Sequence, residues 1–144
     1  MRLWTRIALA AALTFPVVAM AQYKDLDTAM SSLGRGFGNG DAQAITAGVA
    51  DGDQVMLQFP GLVDQSGFFG RDQAAYLLDG LFNKIHPTSF EPEGVRKSSA
   101  DGQVQINGKW SVQVGGKTEA RVLYISLRNK NDRWSVVSVK SASK

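Results

Sequence analysis

His86 is the only histidine in 144 residues, and the chain contains no cysteine. Histidine titrates nearest to neutrality of all side chains, so proton transfer at working pH would fall first to His86. Its position suggests a plainer duty. It closes an apolar helical stripe just before Pro87, where the helix dipole favours an imidazolium. Asp64 and Asp72 flank Phe68-Phe69 and would serve as a base if buried, but turn and N-cap duties account for them more simply. Without cysteine there is no disulfide framework, thiolate nucleophile or cysteine-ligated zinc or iron–sulfur site, and one histidine forms no imidazole cluster, so no metal and no cofactor is expected. The glycines of Gly34-Arg35-Gly36-Phe37-Gly38-Asn39-Gly40 are spaced like a phosphate cradle, yet they follow a helix rather than a strand and lack the P-loop lysine. Asp51 and Asp53 hint at a calcium loop, but Leu62 stands where its closing glutamate belongs. Glu91 and Glu93 surround Pro92 in a polar, solvated connection, and no Gly-x-Ser-x-Gly elbow supports acyl transfer.

The elements that would position these residues are legible from periodicity. Leu26, Met30, Leu33 and Phe37 form one stripe on a helix over 25–37, which is expected to fray or end in the glycine run 34–40. Asp41 caps a short second helix carrying Ala42, Ile45 and Val49. Val55, Leu57 and Phe59 alternate on a strand ending at Pro60-Gly61, and 62–64 with Phe68-Phe69 suggest a short hairpin turned by Gln65-Ser66-Gly67. Ala74, Leu78, Leu81, Phe82 and Ile85 mark a third helix with Asp72 as its cap and His86-Pro87 as its stop. Sheet chemistry follows. A strand over 89–99, broken by Pro92 and Gly94, belongs at an edge or on a bulge. After the turn signal Asp101-Gly102, Val104, Ile106, Trp110, Val112 and Val114 alternate with polar residues. Asn107-Gly108 is either a tight turn or a bend in one strand; the unbroken phase of the alternation favours the bend. Strands over 119–128 and 134–140 complete the chain, the first apolar on both faces: Val122 and Tyr124 lie opposite Leu123, Ile125 and Leu127. The second apolar face needs a cover, either a homodimer through the sheet or the chain's own terminus.

Residues 1–21 read as a cleaved signal peptide: Arg2 and Arg6, an apolar run over 7–18, then Ala19-Met20-Ala21 before Gln22. The run holds Pro16 and falls short of the roughly 20 residues a membrane span needs, so no membrane insertion is expected after cleavage. Residues 22–144 form one exported domain, periplasmic or secreted. Losing Arg2 and Arg6 takes the 16 basic residues to 14 against 13 acidic ones. The remaining charges are dispersed, so no nucleic-acid partner is expected.

Helices first, a short hairpin, one more helix and then long antiparallel strands make an α+β arrangement, with helices on one side of a curved antiparallel sheet. This order is similar to the nuclear transport factor two-like (NTF2-like) superfamily, also called SnoaL-like or cystatin-like, and within it resembles exported bacterial domains of unknown function. The resemblance rests on Gly40-Asp41, Gly67-Phe68-Phe69-Gly70-Arg71-Asp72-Gln73-Ala74, Ser98-Ser99-Ala100-Asp101-Gly102, Gly108 and Asn131-Asp132-Arg133-Trp134-Ser135-Val136-Val137. It implies a cone-like domain whose bent sheet wraps the third helix, leaves a pocket at the wide end and often dimerises through its outer face. Some members are isomerases, dehydratases or cyclases and others only bind, so function rests on the site.

On that fold Phe59, Phe68, Phe69, Tyr76, Phe82, Trp110, Tyr124 and Trp134 are expected to converge between helices and sheet. Most of them serve as core. A bound ligand would be small and apolar, with Phe59, Tyr76, Trp110, Tyr124 and Arg121 as its contacts. Arg121 shares a strand face with Leu123, Ile125 and Leu127, so it either snorkels at the sheet edge or anchors an anion. The first functional reading is non-enzymatic binding of a small ligand or protein partner. The alternative is a SnoaL-like acid–base enzyme acting through His86, Asp64 or Asp72 on a small apolar substrate.

Overall fold

The computed structural model describes residues 22–98 and 102–143. The expected signal peptide over 1–21 and the Asp101 half of the expected turn lie outside the described residues.

Helix α1 spans Leu26–Asn39, with the Asp25 carboxylate accepting the Thr28 N–H at its start. That bond lowers the Asp25 pKa below its usual range, with the nearby Lys24 charge helping. α1 ends inside the glycine run, as expected, but only at its last member: Gly34, Gly36 and Gly38 stay helical and Gly40, with a left-handed φ of 73°, closes the helix. The run has a packing reason. A side chain at Gly36 would overlap Ile45, and one at Gly38 would come within 3.4 Å of the Phe90 backbone nitrogen. The missing side chains let α1 lie close on α2 (Ala42–Thr46) and on strand β3 (His86–Lys97). Asp41 caps α2 as expected, accepting from the Gln43 and Ala44 backbone N–H groups.

Strand β1 is Val55–Gln58 and β2 is Gly67–Phe69, paired antiparallel with Val55 opposite Phe69. Residues 62–64 are not a hairpin strand; Leu62 and Val63 donate to the Phe59 carbonyl and curl the chain after Pro60. Helix α3 covers Arg71–Lys84 and starts from Gly70, so Asp72 lies in the first turn instead of capping it. Arg71 sets that start, since its guanidinium bonds the Val49 carbonyl at 2.8 and 3.0 Å and the Asp51 carboxylate at 2.6 Å.

Strands β3 (His86–Lys97), β4 (Gln103–Val114), β5 (Lys117–Lys130) and β6 (Arg133–Ser143) form an antiparallel meander. The sheet runs β2-β1-β6-β5-β4-β3, and its one parallel junction is β1 with β6. β3 is an edge strand with register shifts at Pro87/Ser89 and Pro92/Gly94, as its proline and glycine predict. β4 is one continuous strand through Asn107-Gly108, and a side chain at Gly108 would overlap the Phe90 ring. Glycine at 108 therefore makes the room in which Phe90 is seated.

The inner face of β4, β5 and β6 presents Ile106, Trp110, Val112, Leu123, Ile125, Leu127, Val136 and Val139, each 2% exposed or less. Leu33 and Phe37 of α1, and Ala74, Leu78, Leu81 and Phe82 of α3, close the core against it. At about 25 cal/mol per Å² of apolar surface, burial on this scale is the main source of stability in a domain without cross-links.

Candidate functional site

The space between helices and sheet is filled. Phe37 packs edge-on against Phe82 and Trp110, with Phe90 and Phe59 tilted beside them, all at ring separations of 5.7–6.1 Å. The Trp110 indole N–H donates to the Phe37 carbonyl at 2.9 Å, so its one polar atom is satisfied inside the core. Arg121 closes the same region. It is 7% exposed, and its Nε–H donates to Glu119 at 2.8 Å while Nη1–H donates to the Pro60 carbonyl at 3.1 Å. A buried guanidinium is tolerable only when paired, and here the pairing also pins the loop after β1 across the inner face.

An opening of about 960 Å³ lies elsewhere. It is a groove between the 62–69 connection and the outward side of α3. Leu62, Val63, Phe68 and Phe69 form one wall, and Tyr76, Leu77 and Leu81 form the other. Phe68 is 67% and Tyr76 85% exposed, the two largest aromatic exposures among the described residues. Asp64, Asp72 and Lys84 stand on the groove, exposed and without hydrogen-bond or ion-pair partners among the described residues.

The predicted site residues are therefore divided. Asp64, Asp72 and Tyr76 meet on the groove, and His86 is exposed at the start of β3 away from it. Phe59, Trp110 and Arg121 come together, but as packed interior with no opening onto the groove. Tyr124 lies on the opposite, outer face of the sheet between Asn107 and Lys140, so the expected convergence of aromatics does not extend to it. Sequence reasoning also passed over Gly80 and Lys84. Their signal was the spacing of Asp72, Tyr76, Gly80 and Lys84, an i+4 row on the side of α3 away from Leu78.

No protein-family model and no curated protein matches this chain in sequence. Solved structures do. The chain is similar to a DUF4783 family protein from Bacteroides uniformis, at 13% identity and a TM-score of 0.64 over 79% of this chain and 95% of that one. It is also similar to an NTF2-like protein of unknown function from Shewanella oneidensis, at 17% identity and a TM-score of 0.59 over 81% and 95% of the two chains. A putative dehydratase of the NTF2-like family from Streptomyces avermitilis aligns at 16% identity and a TM-score of 0.60, over 84% and 94%. At these identities the likeness establishes the fold, and the fold is NTF2-like, as the order of elements implies.

Proposed function

We propose that this NTF2-like chain is an exported, non-enzymatic binding domain that takes a protein partner or a small apolar ligand in the groove between the 62–69 connection and α3. The observation that carries the reading is the reversal of the interior and the surface. The cone is plugged by Trp110, Phe59 and Phe37, while Phe68 and Tyr76 stand in solvent beside an open groove. Exposed aromatics clustered on a concavity are what a binding surface requires. Export is supported by the leader pattern of residues 1–21.

The acid–base alternative draws on Asp64 and Asp72, which lie on the groove, and on the putative dehydratase sharing this fold. A general base gains from being held against the reacting atom away from bulk water, and both carboxylates are exposed and unanchored. Dimerisation through the sheet has Val122 and Tyr124 in its favour, but Lys109, Arg128 and Lys140 share that outer face and would confront their own copies across a two-fold axis. The groove is the better supported surface.

Titration with the neutral apolar fluorophore N-phenyl-1-naphthylamine tests the site. Saturable enhancement should fall about tenfold or more in Phe68→Ser and Tyr76→Ser, since each removes an aromatic contact, and should be unchanged in Asp64→Asn and Tyr124→Ser. Equal binding by all five proteins sinks the groove assignment.

A further inference from the structure

Along α3 the groove is floored by Asp72, Tyr76, Gly80 and Lys84, a single i+4 row with an acid at its start and a base at its end. Asp72 in the first turn and Lys84 in the last suit the dipole of α3, but none of the four side-chain positions has a contact partner that accounts for it. Tyr76 is 85% exposed, and the space beside Gly80 is empty, with no atom within 4 Å of where a Cβ would stand. Gly80 differs from the equally open Gly34 of α1 in lying on the groove, where its missing side chain leaves a gap one turn from the exposed Tyr76 ring. Asp72 and Lys84 have no ion-pair partner among the described residues.

The row is complementary to itself when reversed. Set two copies of α3 antiparallel, centred at the level of Leu78, and Tyr76 of each faces Gly80 of the other while Asp72 of each faces Lys84 of the other. Rows of i+4 residues are the ridges by which helices most often pack, and a glycine opposite a tyrosine opens the gap into which the ring fits. A two-fold axis satisfies both charge pairs at once, because an isologous contact makes every pairing twice. We propose that the groove's occupant is a second copy of this chain, docked α3 to α3. This deepens the groove reading above and rests on it. Phe68, standing on the facing wall, would be covered in the same step.

Sedimentation velocity across a concentration series tests it, with circular dichroism confirming that each variant is folded. The wild type should self-associate. Asp72→Lys and Lys84→Asp should each weaken dimerisation by about tenfold or more, since each opposes like charges twice. The double exchange Asp72→Lys/Lys84→Asp should restore it, and Gly80→Leu, which fills the gap, should abolish it. A wild type monomeric throughout overturns the proposal, and intact fluorophore binding would then leave the groove reading standing. A dimer indifferent to the reversals and to Gly80→Leu but broken by Tyr124→Lys overturns it too, placing the contact on the sheet.

Discussion

Tyr23 has its hydroxyl inside the protein, 2.9 Å from the Ala44 carbonyl and 3.1 Å from that of Ile45, donating to both in a shared bond. Its ring lies where a side chain at Gly48 would stand, so that glycine is a condition of its burial. Burial drives its pKa far above the usual value of 10.0, and the more distant Arg35 charge offsets little of this. The sign follows directly. Above about pH 10 the unfolded chain loses the tyrosine proton while the folded chain keeps it, so stability is full below that pH and declines as alkalinity rises. Tyr23→Phe should lower the urea midpoint at pH 7, consistent with the loss of about 1 kcal/mol of hydrogen bonding, and flatten the fall seen between pH 9 and 11 in a matched denaturation series. A steeper fall in the variant would contradict this. Sequence alone showed Trp110 as buried because it sits in an alternating row; Tyr23 belongs to no such row, and only its fit against Gly48 marks it as core.

At the scale of elements the chain disagrees with simple propensity where glycine serves packing. α1 carries three glycines before its end and remains a helix, because Gly36 and Gly38 hold it against Ile45 and Phe90. Gly34 has no such neighbour within 4 Å. Gly34→Ala should therefore raise stability by about 0.5–1 kcal/mol through helix propensity and a stiffer unfolded chain, while Gly36→Ala should lower it by about 1–3 kcal/mol through overlap with Ile45. Thermal melts read both, and a common sign for the two would contradict the packing account. Helix and strand positions were legible because apolar periodicity is local information. The start of α3 was not, since it depends on Arg71 reaching the Val49 carbonyl.

For the whole molecule, β6 is last of the six strands in chain order yet lies between β1 and β5, joining the hairpin side of the sheet to the meander. The meander could be read from turns and alternation; the parallel pairing of Met56 with Ser138 leaves no local mark on either strand. The groove was hidden for a related reason, since it arises from which side of α3 the sheet leaves uncovered. A chain cut before Arg133 should lose more than an edge: β1 and β2 lose their attachment, Leu127 and Ile125 lose Val136 and Val139, and far-ultraviolet circular dichroism should report a largely unstructured chain. Retention of a cooperative melt would show that β6 is dispensable.

The placement of β6 also bears on timing. A chain emerging from its N-terminal end must expose α1, the hairpin and three further strands before the segment that unites them appears, so these parts stay open until synthesis is nearly finished. On the export proposed above, in which the chain would pass through a narrow channel as an extended thread, such late closure would keep it pliable during passage and reserve its locking step for the far side.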